Sequence, residues 1–503
     1  MATTSNFYDL IVLGSDLAGL AAAALVARRG KRVLIIPLSA IDAVDTGAPE
    51  PVVSDPTPVI CGESATMRRV FDELGVWQQI RRERQPIESL HLAVPDHRVD
   101  LQAGMQNLRA ELEREWPDDR GPVAWAEHQR VSEGCRELWE EILASDVAVS
   151  SDGFWERRAL AKIAGQLPGG AIDDLPPLAD DHPLRALSRV MLPWVSHLAP
   201  SQIGSAAALR LAALWDQGPE DLSGGMPRFR GFLLDRLVTH AGEVKPSLRV
   251  AELLMHRGRV SGVTFFGKRD HYGCEHLILA DDPAYLLSDV LPTSGLAEAF
   301  ASAPNDVEVV ARRYVLHLDI DAAGVSPALE GVVIHVDQPS EWIAREGVGT
   351  TYLRIDPTVV SDARRLVLTR IVAPDEPLHD LRERVLRELD HAGVLPFVRP
   401  HIRWSYSAHD GRGVLDGRER EVGDRPPDLR PTPMEAIVRR RSGSPVLGVG
   451  VYPHVTEIRN LFLASRLTLP GLGLEGDLAT ALAVAGAIAA PGKARGRPLF
   501  FGR

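Results

Sequence analysis

The sequence is short of cysteine, of aromatic residues and of positive charge, and each shortage excludes something. Its three cysteines, Cys61, Cys135 and Cys274, are odd in number and scattered over 503 residues. They make no disulfide framework and fit a reducing cytosol. Lys and Arg total 56 against 68 Asp and Glu, and the net charge of -12 argues against nucleic acid or an anionic membrane surface as a general partner. No Walker loop, G-x-S-x-G elbow or H-E-x-x-H zinc motif occurs, and there is no internal repeat or extended low-complexity tract. Long apolar runs are missing too. Leu10 to Ala27 has the composition of a signal peptide, but no basic segment precedes it, and Asp16 with two glycines interrupts it. Met191 to Leu214 is broken by Pro193, His197, Pro200 and Arg210. Neither offers the roughly 18 uninterrupted apolar residues of a membrane span. The expectation is a soluble cytoplasmic protein, at most peripheral to a membrane.

What is present is ordinary for a globular chain: 45% hydrophobic and 25% charged residues, in a length that allows two or three domains. The run Tyr8 to Gly14, an alanine-rich helix to Arg29 and a second run, Val33 to Ile36, predict a βαβ unit. Pro37 to Pro58 is rich in Pro, Asp, Ser and Thr and predicts a long surface loop. Helical spacing resumes from Ser64 to Ile80, and Ser89 to Leu101 predicts two short strands. Asn107 to Leu214 predicts a mainly helical cap holding five of the nine tryptophans. Gly224-Gly225-Met226-Pro227 leads into a helix, Phe229 to Ala241, and then a small β-meander around Ser247 to Leu254, Val260 to Phe266 and His276 to Ala280. Val307 to Leu318, Gly331 to Val336, Thr350 to Ile355 and Leu366 to Ile371 predict an antiparallel sheet, with a charged helix, His379 to Ala392, after it.

A dinucleotide-binding turn wants glycine at three places: for the tight turn, for close approach to the pyrophosphate, and for packing helix on strand. Gly14-Ser15-Asp16-Leu17-Ala18-Gly19 supplies the first and third. The middle glycine is replaced by Asp16, which sets a carboxylate where a diphosphate would meet the positive end of the helix. The acid expected about 20 positions on, for the ribose hydroxyl, falls at Pro37, which has no side-chain acceptor.

Arg459-Asn-Leu-Phe-Leu-Ala464, followed by Thr468-Leu-Pro-Gly471-Leu-Gly473-Leu-Glu-Gly476-Asp477 and an alanine-rich helix, resembles the C-terminal FAD motif of phytoene desaturase-like and amine oxidase-type oxidoreductases. Gly224-Gly225-Met226, Val250-Ala-Glu-Leu-Leu254 and Gly258-Arg-Val-Ser-Gly-Val263 resemble the internal block of the same family. The resemblance spans most of the chain, with little contribution from residues 107–214. It implies an α/β, two-domain flavoprotein fold: a Rossmann-like FAD/NAD(P)-binding domain beside an antiparallel-sheet substrate domain with a helical cap. The binding domain would be assembled from residues 1–106, 215–290 and 434–503, the substrate domain from 107–214 and 291–433. FAD is the implied cofactor, lined by Gly14, Ser15, Gly19, Val250, Gly471, Gly473 and Gly476. The departures sit at ligand positions. Pro37 to Asp42 replaces a glycine-arginine segment, Ser465-Arg466 replaces a glycine after the last strand, and Glu475 and Asp477 add acids. FAD is therefore expected only where other contacts outweigh Asp16 and Pro37, or where a cation such as Arg466 compensates Asp16.

Two functions follow. One is an FAD-dependent oxidoreductase taking a hydride from an extended apolar or amine-type small molecule, with no side chain to name as acid or base. The other is a non-catalytic protein that uses the cleft or the 37–58 loop for a protein partner or lipid. A different nucleotide, bound without a pyrophosphate at Asp16, is a third expectation. His271-Tyr-Gly-Cys274-Glu-His276 holds three potential metal ligands in six residues, but a fourth is not evident and the stretch reads as a hairpin in the β-meander, so no metal is expected. His401, His409 and His454 lie near Trp404, Tyr406 or Tyr452 and are candidate proton-transfer or plain structural groups. The tail Lys493 to Arg503, basic with two phenylalanines, reads as a solvated terminus or a peripheral docking segment.

Overall fold

The first apolar run forms β1 (Phe7–Gly14), α1 (Leu17–Arg28) starts after two residues, and β2 (Val33–Ile36) returns parallel to β1 with Leu10 opposite Val33. The structure, a computed structural model, describes residues 6–38, 60–61, 64–101, 108–117, 121–144, 158, 162 and 189–489. Within the last range it omits 224, 246–247, 268–270, 288–302, 327–328, 330, 357–361 and 423–432. The predicted surface loop, past residue 38, and the basic tail lie outside these residues.

Along the chain follow β3 (Ile60–Cys61), α2 (Ala65–Leu74), α3 (Trp77–Glu83), β4 (Arg84–Pro86), β5 (Leu90–Val94) and β6 (His97–Asp100). Ser64 starts α2 by accepting the Met67 N–H at 3.1 Å, and Gly75 stops it at φ 69°. The cap comprises α4 (Leu108–Glu115), α5 (Gly121–Ala144), α6 (Leu192–Val195) and α7 (Ser205–Asp216). Then come β7 (Pro219–Leu222), α8 (Gly225–Thr239), β8 (Glu243–Val244), β9 (Val250–His256), β10 (Arg259–Phe265) and β11 (Tyr272–Ala280). The last third holds β12 (Val307–Asp321), β13 (Val332–Val336), β14 (Thr350–Asp356), β15 (Ala363–Val372), α9 (Leu381–His391), β16 (Ile402–Tyr406), β17 (Glu435–Arg440), β18 (Leu461–Leu463) and α10 (Leu474–Ala489).

The first sheet runs β8-β2-β1-β11-β10-β9, with β18 added on β11. Its third meander strand is longer than the sequence pattern predicts. β11 pairs in parallel with β1 from Phe7–Gly273 to Gly14–Ala280 and with β18 from Leu277–Leu461 to Leu279–Leu463, so it is the central strand. Such a strand is buried on both faces and reads as a continuous apolar run without alternation. Helix α1 packs on this sheet against α8 and α10, and every residue from Leu17 to Ala27 is buried. Four alanines in succession, Ala21 to Ala24, let neighbouring helices approach closely from several sides.

The second sheet runs β16-β12-β15-β14-β13-β5-β6, with β17 on β12. The predicted antiparallel strands β12 to β15 form its centre, and α9 packs its Leu381, Val385 and Leu389 into the apolar cluster of one face. The hairpin β5–β6 joins by a parallel pair, Leu90 opposite Val332, and β17 joins with Arg313 opposite Glu435. A small third sheet, β3-β7-β4, pairs with neither, and Asp221 of β7 forms an ion pair with Arg354 of β14. Among the described residues no helix is long and apolar enough to cross a membrane.

Candidate functional site

The turn between β1 and α1 is built around the end of β11. Gly14 has φ 100°, and a Cβ there would stand 2.3 Å from Ala280 O; a Cβ on Gly19 would stand 2.1 Å from Ala280 Cβ. Both glycines are therefore required by packing alone. The Asp16 N–H donates to Ala280 O at 2.8 Å, and Arg230 of α8 donates to Ser15 O at 2.6 Å. Ser15 is 3% exposed, and its hydroxyl has no hydrogen-bond partner among the described residues. Asp16 stands at the N-cap of α1 but makes no capping bond to that helix. The N–H groups of Leu17, Ala18 and Gly19 consequently keep the open donor positions that every helix N-terminus presents.

The Asp16 carboxylate turns to Arg466 instead. Oδ2 accepts the Arg466 backbone N–H at 3.1 Å and Oδ1 accepts Nε at 3.3 Å. Arg466 Nη1 in turn donates to Glu435, whose other oxygen accepts Arg313 Nη1 at 2.8 Å. Arg313 also donates to Pro193 O at 2.9 Å and Ser196 O at 2.5 Å. The chain of charges thus runs from the turn of the first sheet to β12 and β17 of the second, and on to the segment at α6. The Arg466 and Glu435 side chains keep 32% and 38% of their surface accessible, and that of Asp16 keeps 11%.

Burial dominates the electrostatics here. It opposes ionisation of Glu435, but Arg466 and then His197 and Arg313 outweigh it and hold that carboxyl well below the usual range. Burial likewise opposes the charge on Arg466, and Asp16 and Glu435 reverse this and raise its pKa. Asp477, in the first turn of α10, is pushed up to about 8 by burial against the opposing pull of Arg466. His197 is pushed down to about 3 by burial and by Arg313.

The glycines of the C-terminal motif are also packing glycines. A Cβ on Gly471 would stand 2.7 Å from Val449 Cα, one on Gly473 (φ 56°) 2.0 Å from Val195 O, and one on Gly476 2.2 Å from Leu469 O. The structure brings the Gly14–Gly19 turn and this segment together through Asp16 and Arg466 and through the packing of α1 on α10. It leaves Val250 on β9, three strands from β1 in the sheet order. Pro37 is buried directly after β2. Arg230, Arg313 and Glu435 are members that sequence reasoning missed; Arg313 and Glu435 meet only through a strand pairing across 122 positions.

No protein-family model matches the chain, and no curated protein matches it by sequence. Among solved structures it is similar to an oxidoreductase from Methanosarcina mazei, with TM-score 0.58 and 13% identity over 94% of this chain and 99% of that one. A double mutant of putrescine oxidase redesigned in its cofactor binding gives 0.56 and 14% over 96% and 99%. The chain shares the fold of both structures. Cyclohexylamine oxidase from Brevibacterium oxydans IH-35A, at 0.54 and 14% over 96% and 99%, shares it. At these identities the likeness establishes the fold and leaves the chemistry to the residues.

Tested against the cofactor that this fold implies, the residues fit the diphosphate. A buried Ser15 hydroxyl with no hydrogen-bond partner among the described residues and an uncapped helix N-terminus lie in the β1–α1 turn, with Arg230 on Ser15 O and Arg466 on Asp16. Pro37 offers nothing to the ribose. The other sequence candidates lie elsewhere. Cys274 and His276 are two apart on β11, and no group of three potential metal ligands converges among the described residues. His409 lies with its ring 6.0 Å from that of Tyr314, and His401 closes the short turn before β16. His454 is buried, which pushes it down to about 4.

Proposed function

We propose that this chain is an FAD-dependent oxidoreductase acting on an extended apolar or amine-type small molecule. The observation that supports the reading is the state of Asp16. Its carboxylate is drawn off its own helix onto Arg466, so the α1 N-terminus and the Ser15 hydroxyl stay available to an anionic group. When bound, FAD would supply a hydride acceptor, chemistry that no amino-acid side chain performs. Gly14, Ser15 and Gly19 would hold the diphosphate with Arg230 close by, and Arg466 would cancel the charge of Asp16. The turn from Gly471 to Gly476 would lie at the flavin end and Val250 would line the cofactor from β9. The substrate would sit between the helical cap and the second sheet.

The test is a near-ultraviolet and visible absorbance spectrum of the purified protein, before and after incubation with excess FAD and removal of free ligand. Paired flavin bands at about one equivalent are expected after incubation. A protein that stays colourless would overturn the reading and turn attention to a non-catalytic use of the fold. Pro37→Glu is expected to tighten flavin binding, because it supplies the ribose acceptor that proline lacks.

A further inference from the structure

The buried stripe of α5 is Trp125, His128, Ser132, Cys135 and Trp139, spaced alternately three and four residues apart. This is the spacing of a helix–helix seam, and α5 packs along α7, whose Ala206, Ala207, Ala208, Ala212 and Ala213 are buried. Seams of this kind are ordinarily filled by Leu and Ile. Among the described residues, four of the five side chains present a polar atom without a hydrogen-bond partner. Trp125 Nε1, His128 Nε2, Ser132 Oγ and Trp139 Nε1 have no hydrogen-bond partner among the described residues, and the four residues are 6%, 3%, 0% and 0% exposed.

Buried orphans are rare in folded proteins, and each carries an unrecovered desolvation cost. Four on one helix face, over about 21 Å at 1.5 Å per residue, form a row rather than an isolated packing flaw. The row also has a definite chemistry. An indole N–H can only donate, and a hydroxyl can do so, so the missing partner carries acceptors. The flanking surface is alanine, leucine, cysteine and indole, so the body of that partner is apolar. No cation stands on the stripe itself; Arg189, whose charge reaches His128, is itself buried. The donors of the row are uncharged, so a neutral oxygen meets them without the cost of burying an ion.

We propose that the α5–α7 seam is a ligand site that opens to take an extended apolar molecule bearing carbonyl or ether oxygens, which accept from Trp125, Ser132 and Trp139. The site needs no flavin, so it stands or falls apart from the oxidoreductase reading. In the absence of ligand the helices close on one another and leave the donors unpaired. The alanines of α7 make the opposing wall that yields most space when the helices part.

The test uses the full chain without added flavin, titrated with 2-undecanone and, separately, with undecane, following tryptophan fluorescence. The ketone is expected to bind about tenfold more tightly than the hydrocarbon, the worth of one or two recovered hydrogen bonds. Ser132→Ala is expected to narrow that gap and leave hydrocarbon binding unchanged. It should also raise the melting temperature of the ligand-free protein, because it deletes an orphan. Equal affinity for the two probes, saturable binding of neither, or a ligand-free Ser132→Ala protein less stable than the parent would each overturn the proposal. Trp139→Phe, which deletes one N–H at nearly constant shape, gives the same test if the alanine variant does not fold.

Discussion

Arg466 grips Asp16 with main chain and side chain together, its N–H on Oδ2 at 3.1 Å and its Nε on Oδ1 at 3.3 Å, across 450 positions of sequence. The carboxylate standing in the β1–α1 turn, where the sequence motif calls for its middle glycine, is thus an internal counter-ion. Through Glu435 and Arg313 it is tied to the second sheet.

This tie sets the first prediction. Arg466→Gln leaves two enclosed carboxylates with one fewer cation and should destabilise the protein by about 2–4 kcal/mol. Asp16→Asn should cost less, because Glu435 still holds Arg466. The two losses should not add in the double variant, since both remove one contact. Urea titrations of the four proteins measure the coupling, and strictly additive losses would show that the contact contributes nothing.

The packing of Gly19 sets the second. A methyl group there meets Ala280 Cβ at 2.1 Å, so Gly19→Ala should destabilise by about 1–3 kcal/mol through overpacking. Ala280→Gly in the same chain should restore most of that loss. If the second change gave no recovery, the glycine would have to be retained for a reason other than this contact.

Asp477 gives the protein a pH dependence of defined sign. Its pKa stands at about 8 against an ordinary 3.8, raised by burial. Between those values the folded state keeps a proton that the unfolded chain has released, so rising pH erodes stability across that window. Asp477→Asn removes the effect. The variant should gain on the order of 2 kcal/mol relative to the parent between the acid and alkaline ends of the window. Denaturation midpoints near pH 5 and near pH 8 check this, and an unchanged difference between the two proteins would contradict it.

Arg210 of α7 and Glu475 of α10 form an ion pair with side chains 0% and 2% exposed, joining the cap to the C-terminal helix. Arg210→Met alone strands a buried carboxylate and should cost about 3–5 kcal/mol. Adding Glu475→Leu should recover a large part, because an apolar pair needs no desolvation. Melting temperatures decide it, and a double variant worse than either single one would refute it.

Much of this was legible before the fold was known, for identifiable reasons. The β1–α1–β2 unit announces itself because a buried strand and a buried alanine-rich helix have different periods and are separated by glycine. The strands β12 to β15 are visible as short β-rich runs separated by turn residues. The full length of β11 was hidden, since Tyr272 to Cys274 continues a central strand in residues that read as a hairpin. The roles of the glycines were only half legible. Gly471, Gly473 and Gly476 were expected beside a cofactor, and the structure shows protein atoms at the positions that their side chains would fill.

By itself the sequence determined the local elements and the two substitutions, Asp16 and Pro37, that set this chain apart, because those depend on the type and spacing of neighbouring residues. Tertiary structure alone decided what Asp16 does. A carboxylate at a helix N-terminus has the same local chemistry whether it repels a ligand or is neutralised. The difference rests on Arg466, Glu435 and Arg313, which reach it only once β18 has paired with β11 and β17 with β12. Electrostatic interaction depends on separation in space, and separation along the chain does not predict it.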